Sequence, residues 1–205
     1  MDELIEGYRR FRATQWLQER ERFEATAEQG QSPRVMVVAC SDSRVDPQMI
    51  LGARPGELFV VRNVANLVPP YEHDSAYHGT SAALEFGVRS LKVAHLVVMG
   101  HGMCGGIKAL LEGASPENSD FVTHWMGMAE PARRATEGVE PPEKRRRMCE
   151  EETVRFSLAN LMTFPWVAQA VEAGRLTLHG AYFDIRHGVL WLLQPDGSFA
   201  PAPGS

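Results

Sequence analysis

The fold is decided by the stretch Val35-Met36-Val37-Val38-Ala39-Cys40-Ser41-Asp42-Ser43-Arg44, in which a valine-rich run ends directly in sulfur-bearing and charged side chains. A second run, Ala94-His95-Leu96-Val97-Val98-Met99, ends in the same way at His101-Gly102-Met103-Cys104. Short β-branched runs bounded by turn residues predict buried strands of a parallel sheet. Sites in open α/β sheets lie outside the carboxyl ends of the strands. We therefore expect four side chains to meet at one edge of the sheet: Cys40, Asp42, His101 and Cys104.

These four side chains comprise two thiols, an imidazole and a carboxylate, which is a ligand set suited to zinc. Neither C-x-D nor H-x-x-C is specific alone, and two inert buried thiols beside a hydrogen-bonded core histidine are the simpler alternative. The coincidence of both motifs at strand ends favours a metal. Asp42 and Arg44 favour it further, because charges directly after a buried strand are costly unless they are paired or functional.

Length and composition bound the class of protein. A chain of 205 residues with 44% hydrophobic residues allows a single domain with a full core. A net charge of −5 gives no support for nucleic acid as a partner, and no apolar run approaches the ~20 residues of a membrane span. Three cysteines, two of them in the candidate site, do not form a disulfide framework. With no secretory signal at the start, these features predict a cytoplasmic protein.

The chain order predicts a helical arm, a core and a tail within the single domain 1–205. Residues 2–29 are predicted to form one helix that ends at Gly30, so that 1–30 is the arm. The arm could pack on its own domain or on a second subunit, and the sequence leaves both open. The core is predicted to span 31–199, and residues 200–205 are predicted to fray.

The other elements follow from cap and turn signals. Helices are predicted at 48–53, from about 75 to 91, at 107–111, from 119 to a break at Pro131, at 142–162 and at 165–173. Strands are predicted at 57–61, 176–185 and 189–193, the last two as an antiparallel hairpin at a sheet edge. The basic run 144–147, followed by acidic 150–152, is interpreted as a solvated helix face and not as a phosphate site, because i,i+3 and i,i+4 pairs can form.

With these residues placed, the chain resembles the beta-class carbonic anhydrases over nearly its whole length. The resemblance is carried, in the family's order, by Ala39-Cys-Ser-Asp-Ser-Arg-Val45, Pro55-Gly-Glu-Leu-Phe-Val-Val-Arg-Asn-Val-Ala-Asn66, Gly79-Thr-Ser-Ala-Ala-Leu-Glu85, Gly100-His-Gly-Met-Cys-Gly-Gly-Ile-Lys108 and Gly180-Ala-Tyr-Phe-Asp-Ile185. It implies an α/β fold: a central, mostly parallel sheet with an antiparallel edge strand, flanked by helices. It also implies an N-terminal helical arm that embraces a partner subunit.

The resemblance implies one zinc ion per subunit, held by Cys40, His101 and Cys104. The fourth position belongs to water or, in a closed form, to Asp42; in the open form Asp42 pairs with Arg44. The implied activity is reversible hydration of carbon dioxide to bicarbonate and a proton, by zinc-bound hydroxide that the Asp42–Arg44 pair orients.

The subgroup follows from departures within the motifs. One subgroup has an inhibitory bicarbonate pocket built on a Trp and a Gly that here are Val37 and Ala39, so the chain is more similar to the plant-like subgroup. The implied substrate pocket consists of Gln31, Phe59, Val64 and Phe86, where the plant-like enzymes have Tyr at position 86, with Gly105 at the start of a helix that favours anions. Since the glutamine comes from the neighbouring subunit, a homodimer or a dimer of dimers is implied.

Three alternatives stay open on the sequence. The same scaffold and zinc motif serve hydrolases of carbonyl sulfide or carbon disulfide. A non-catalytic zinc-binding or anion-binding module could keep the fold, although Asp42 and Arg44 are both present. A structural zinc site is the third, although such sites are usually closed by four Cys or His ligands.

Overall fold

A six-stranded sheet forms the centre of the protein, for which the computed structural model describes residues 1–74, 77–113 and 120–204. The strands are β1 (Val35–Cys40), β2 (Leu58–Asn63), β3 (His95–His101), β4 (Thr177–Asp184), β5 (Val189–Leu193) and β6 (Phe199–Pro201). Their order in the sheet is β2-β1-β3-β4-β5-β6. The first four strands are parallel, and β5 and β6 are antiparallel to their neighbours. The predicted mostly parallel sheet with an antiparallel edge is confirmed.

Helices flank this sheet. They are α1 (Asp2–Ala13), α2 (Gln15–Gln29), α3 (Pro47–Ile50), α4 (Gly79–Glu85), α5 (Gly105–Glu112), α6 (Val122–Gly127), α7 (Glu130–Ala135), α8 (Pro142–Leu161) and α9 (Pro165–Glu172). A π-helical segment, Phe86–Ser90, continues α4. Within the described residues, no helix has both the length and the apolar character needed to cross a membrane.

The N-terminal arm is two helices and not the single helix predicted for 2–29. The chain breaks at Thr14, where φ is −128° and ψ is −83°. The Thr14 hydroxyl donates to the Arg10 carbonyl at 2.8 Å, a local bond with which threonine competes with regular helix. Across the break, Phe11 of α1 packs edge-on against Phe23 of α2, with 6.3 Å between ring centroids.

Two further predictions are wrong in detail. Pro131 was expected to end a helix, but it lies in the first turn of α7, where its missing N–H costs nothing. The tail predicted to fray from 200 begins later, because Ala200 and Pro201 belong to β6 and pair with β5. The predicted helix start at 75 and the predicted loop and cap over 114–119 lie outside the described residues.

Helix α8 packs on the carboxyl half of β3 and β4 and so lies directly behind the strand ends. Glycine makes the close approach possible: a Cβ at Gly100 would lie 2.7 Å from Val154 Cγ2, and one at Gly180 would lie 3.1 Å from Leu158 Cδ1. Val154 and Leu161 are fully buried in the main core. The helix is therefore fixed at a distance from which its side chains reach the candidate site.

Candidate metal centre

The site is built by three side chains at the carboxyl ends of β1 and β3. Cys40 is the last residue of β1, His101 is the last residue of β3, and Cys104 is the N-cap of α5. All three residues are buried, and their ligand atoms lie within 4.8 Å of one another. Two sulfurs and one imidazole at this spacing match three corners of a tetrahedral zinc site.

The state of His101 supports a metal. Its Nδ1 lies 2.9 Å from the Gly102 carbonyl, to which a protonated Nδ1 donates. That hydrogen bond assigns the lone pair to Nε2, the nitrogen that would bind a metal. Nε2 is buried and has no hydrogen-bond partner within the described part of the chain. Since buried polar atoms are rarely left unpaired, the geometry fits a metal ligand.

The two sulfurs lie among donors that stabilise thiolate. The Ala65 amide donates to Cys40 Sγ at 3.4 Å, and the amides of Gly106 and Ile107 at the start of α5 act to lower the pKa of Cys104. The hydrogen bond between the two thiols lowers the pKa of Cys40 and, together with burial, raises the pKa of Cys104. The pair thus shares a proton that a divalent cation has to displace.

Asp42 lies beside the three ligands but is turned towards Arg44. Arg44 Nε donates to Oδ1 at 2.9 Å and Nη2 donates to Oδ2 at 2.7 Å, which is a bidentate pair. The Arg44 guanidinium holds the pKa of Asp42 well below its usual range. Of the four predicted metal ligands, the structure therefore brings three together, and it shows Asp42 in the arginine-paired arrangement.

Arg62 fixes the loop that carries Asp42. From β2 it donates to the Cys40 carbonyl at 2.8 Å and to the Asp42 carbonyl at 2.7 Å. It also forms an ion pair with Asp46, the N-cap of α3, at 3.3 Å. One guanidinium thus holds both ends of the turn between the first ligand and the carboxylate.

The predicted substrate pocket is only partly assembled in one chain. Phe59 and Phe86 meet with 5.7 Å between ring centroids, and Phe86 remains 47% exposed. Val64 is also exposed, and a Cβ at Gly105 would meet nothing within 4 Å. Gln31 is exposed and forms no hydrogen bond within the described residues. The structure therefore leaves Val64 and Phe86 open to solvent in one chain, and completion of the pocket by a neighbouring subunit stays a prediction.

Glu150 is a residue of the site that the sequence analysis missed. It was assigned to a solvated face, yet it is only 3% exposed. One carboxylate oxygen accepts from the Cys104 amide at 3.0 Å, and the other accepts from the Tyr182 hydroxyl at 3.0 Å. Burial raises the pKa of Glu150. A signal was present in the sequence, because Glu150 falls on the same helical stripe as Val154 and Leu161.

The comparisons with known proteins agree with this geometry. Residues 35–190 match the family described as Carbonic anhydrase. The mitochondrial beta carbonic anhydrase 6 of Arabidopsis thaliana is 37% identical over 203 residues, which are 96% of this chain and 69% of that enzyme. The solved beta-carbonic anhydrase CcaA superposes with a TM-score of 0.92 at 33% identity, over 100% of this chain and 92% of that one.

A second solved structure, one of two tetrameric beta-carbonic anhydrases from the ascomycete Sordaria macrospora, has a TM-score of 0.83 at 28% identity and covers 97% of this chain and 98% of its own. The family match spans well over half of the chain, and the relatives align along nearly all of it. The buried Cys-His-Cys group lies inside the matched range. The chain therefore belongs to the beta-class carbonic anhydrases and is an enzyme of that family.

Proposed function

We propose that this protein hydrates carbon dioxide reversibly to bicarbonate and a proton, with one zinc ion per subunit held by Cys40, His101 and Cys104. One observation carries the proposal. Two sulfurs and an unpartnered buried imidazole nitrogen converge within 4.8 Å, next to a carboxylate that an arginine holds ionised. Three protein ligands with an adjacent anchored carboxylate are typical of an open, catalytic metal site and not of a closed structural one.

When bound, zinc lowers the pKa of a coordinated water towards neutrality and so supplies the nucleophile. Asp42 would orient this nucleophile. Because Arg44 keeps Asp42 ionised, the carboxylate can only accept hydrogen bonds, and the bidentate pair fixes the direction of its oxygens. An attacking oxygen that donates its hydrogen to Asp42 is left with a lone pair pointing away from the carboxylate. The Asp42–Arg44 pair thus selects the nucleophile's direction of attack.

Carbon dioxide is small and apolar, and the open wall of Phe59, Val64 and Phe86 suits it. In one chain this wall faces solvent, since Val64 is 37% and Phe86 47% exposed. A second subunit would exclude water from it and supply Gln31 as a donor to the oxyanion that develops on the substrate. The substrate pocket is therefore proposed to be completed by a dimer.

The arm supports the same assembly. Neither α1 nor α2 has a buried residue, and Leu4, Tyr8 and Leu17 are largely exposed. Although α2 pairs with its own chain through Arg54–Glu19 and Arg22–Glu57, the exposed apolar side chains of the arm are proposed to cover a second subunit, and the tetrameric relative is consistent with a dimer of dimers. The cytoplasmic location stays a prediction, because the Arabidopsis relative is a mitochondrial protein.

Stopped-flow hydration of carbon dioxide with zinc analysis tests the mechanism. Asp42→Asn should keep about one zinc per chain and lose about 100-fold or more of the hydration rate, since the amide donates where the carboxylate only accepts. Asp196→Asn, a substitution in an exposed turn, is the matched control and should retain both the zinc and the hydration rate. Cys104→Ser should lose zinc. A near-normal rate in Asp42→Asn would remove Asp42 from the mechanism.

A further inference from the structure

Three arginines from separate parts of the chain converge on Met103, the residue just before the ligand Cys104. Arg44 Nη2 donates to the Met103 carbonyl at 3.2 Å. Arg146 Nη1, from α8, lies 3.6 Å from the Met103 sulfur, and Arg186 Nη2, from the β4–β5 turn, lies 3.9 Å from the same atom. Met103 holds a left-handed φ of 60°, and its side chain is partly exposed. Two cations thus meet at one weakly accepting sulfur, and a third donates to the backbone carbonyl of the same residue.

The carboxylates near this cluster do not balance it. Asp42 pairs with Arg44 at 2.7 Å. Glu112 lies 3.5 Å from Arg146 and is shared with Lys108 at 3.8 Å. No carboxylate in the described part of the chain lies within 4.0 Å of the Arg186 guanidinium. A thioether accepts hydrogen bonds too weakly to replace a counter-ion, so the cluster retains positive charge.

The cluster also keeps donors that solvent can reach. Arg44 uses Nε and Nη2 towards Asp42 and Met103, and its Nη1 has no hydrogen bond to the described residues. The Arg44 side chain is 51% exposed. Guanidinium groups present several N–H donors in a fixed fork, which matches the oxygens of a phosphate or sulfate group. An oxyanion would relieve the repulsion among the three cations and satisfy these donors together.

We propose that Arg44, Arg146 and Arg186 bind a doubly charged tetrahedral oxyanion, of the sulfate or inorganic phosphate class, over Met103. The basic run 144–147 was interpreted as a solvated helix face, and this proposal changes that interpretation for Arg146. Arg146 turns towards the cluster, whereas its neighbour Arg147 stacks on Trp191 with its guanidinium carbon 4.5 Å from the ring centre. The site is distinct from the proposed substrate wall, which is formed by other residues.

Occupancy of this site bears on the metal centre through Arg44. The guanidinium is rigid, so an anion that draws the free Nη1 of Arg44 over Met103 also moves Nε and Nη2, the two atoms that hold Asp42. A released Asp42 loses its fixed orientation beside the metal. The oxyanion is therefore an inhibitor of hydration, and this consequence, unlike the binding site itself, rests on the proposed function.

Calorimetric titration of the zinc-loaded protein with sodium sulfate, at constant ionic strength kept with chloride, tests the site. Arg186→Gln and Arg146→Gln should each weaken sulfate binding about tenfold or more, the loss of one charge-assisted contact. Arg186→Lys keeps the positive charge but lacks the forked N–H donors, so its sulfate affinity should lie between those of the parent and Arg186→Gln. Arg134→Gln removes an exposed positive charge from α7, away from the cluster, and is the control. Sulfate affinity that is unchanged in both glutamine variants, with thermal midpoints equal to the parent, overturns the site.

Sulfate inhibition of hydration tests the coupling separately. The sulfate concentration that halves the rate should rise in Arg186→Gln by the same factor as the dissociation constant, while Arg134→Gln follows the parent. Arginine-dependent binding without any inhibition would overturn the coupling and leave the site standing. A chain that binds sulfate in this way but does not hydrate carbon dioxide would refute the proposed function and not the site.

Discussion

Removing the Tyr182 hydroxyl leaves the carboxylate of Glu150 one hydrogen bond short in a place that water does not reach. The hydroxyl donates to Glu150 at 3.0 Å, and both residues are 3% exposed. Leaving a buried charged acceptor with a missing partner costs about 1–3 kcal/mol. For a domain of this size, each kcal/mol moves the thermal midpoint by about 2–4 °C. We therefore expect Tyr182→Phe to lower the midpoint by about 2–12 °C.

The cost should depend on the charge of Glu150. In Glu150→Gln the amide oxygen can still accept from the Cys104 N–H, and no buried charge remains to be satisfied. Tyr182→Phe should therefore cost less in the Glu150→Gln background than in the parent. A double-mutant cycle should give a coupling of about 1 kcal/mol or more, as expected for buried partners in one network. Glu150→Ala, which removes the acceptor of the Cys104 amide, should weaken zinc binding about 10–100-fold, because the carboxylate positions the ligand Cys104.

Thermal and urea unfolding at one fixed protein concentration measure both effects, since a change in assembly would shift the midpoint by mass action. Unfolding measured with zinc and with a chelator separates an effect on the stability of the fold from an effect on metal binding. Tyr8→Phe, which removes a hydroxyl from a 61% exposed ring on the arm, is the matched control and should change little. A midpoint for Tyr182→Phe within a degree of the control, or a cycle without coupling, would refute the idea that this network supports the site.

Two further outcomes follow from local geometry. Gly106→Ala should destabilise the fold by about 1–3 kcal/mol, because its Cβ would lie 2.9 Å from Val64 Cγ1; Gly105→Ala, with open space at that position, is the control in urea unfolding. Hydrogen bonds from Arg133 and its neighbour lower the pKa of Glu130 to about 2, so this carboxylate contributes stability above its ordinary pKa of 4.5 that is lost as the pH falls towards 2. The urea midpoint of Glu130→Gln should therefore lie below the parent at neutral pH and approach it in acid; a constant gap would contradict this.

The sheet and the meeting of the three candidate metal ligands could be predicted from the sequence because their signals are local. The runs that became β1 and β3 are short, β-branched and closed by turn residues, and parallel strands place their carboxyl ends together. Cys40, His101 and Cys104 follow those ends directly, so chain order alone brings them near one another. The resemblance to a family added the roles of Asp42 and Arg44, which spacing does not supply.

What the sequence did not predict depends on competition between alternative contacts. The break at Thr14 reflects a hydrogen bond from its hydroxyl to the Arg10 carbonyl, which competes with a regular helix. The apolar pattern of the arm continues across this break, so the sequence predicts one helix. The outermost strand β6 exists because β5 offers an unpaired edge, which no feature of 199–201 reveals. Glu150 was missed because a run of three glutamates suggests solvent, although its spacing to Val154 and Leu161 places it on the buried stripe of α8.

Helix α8 ties the two halves of the metal site to one another. Near its middle, Glu150 accepts from the amide of Cys104. About two and three turns further along, Ser157 donates to the Asn66 carbonyl and Asn160 donates to the Val68 carbonyl, at 3.2 Å and 2.8 Å. Those two bonds hold the turn whose Ala65 amide donates to Cys40. Because one helix supports both sulfur ligands, a metal that binds only the folded site stabilises the packing of α8, and loosening α8 weakens the hold on the metal by the same free energy.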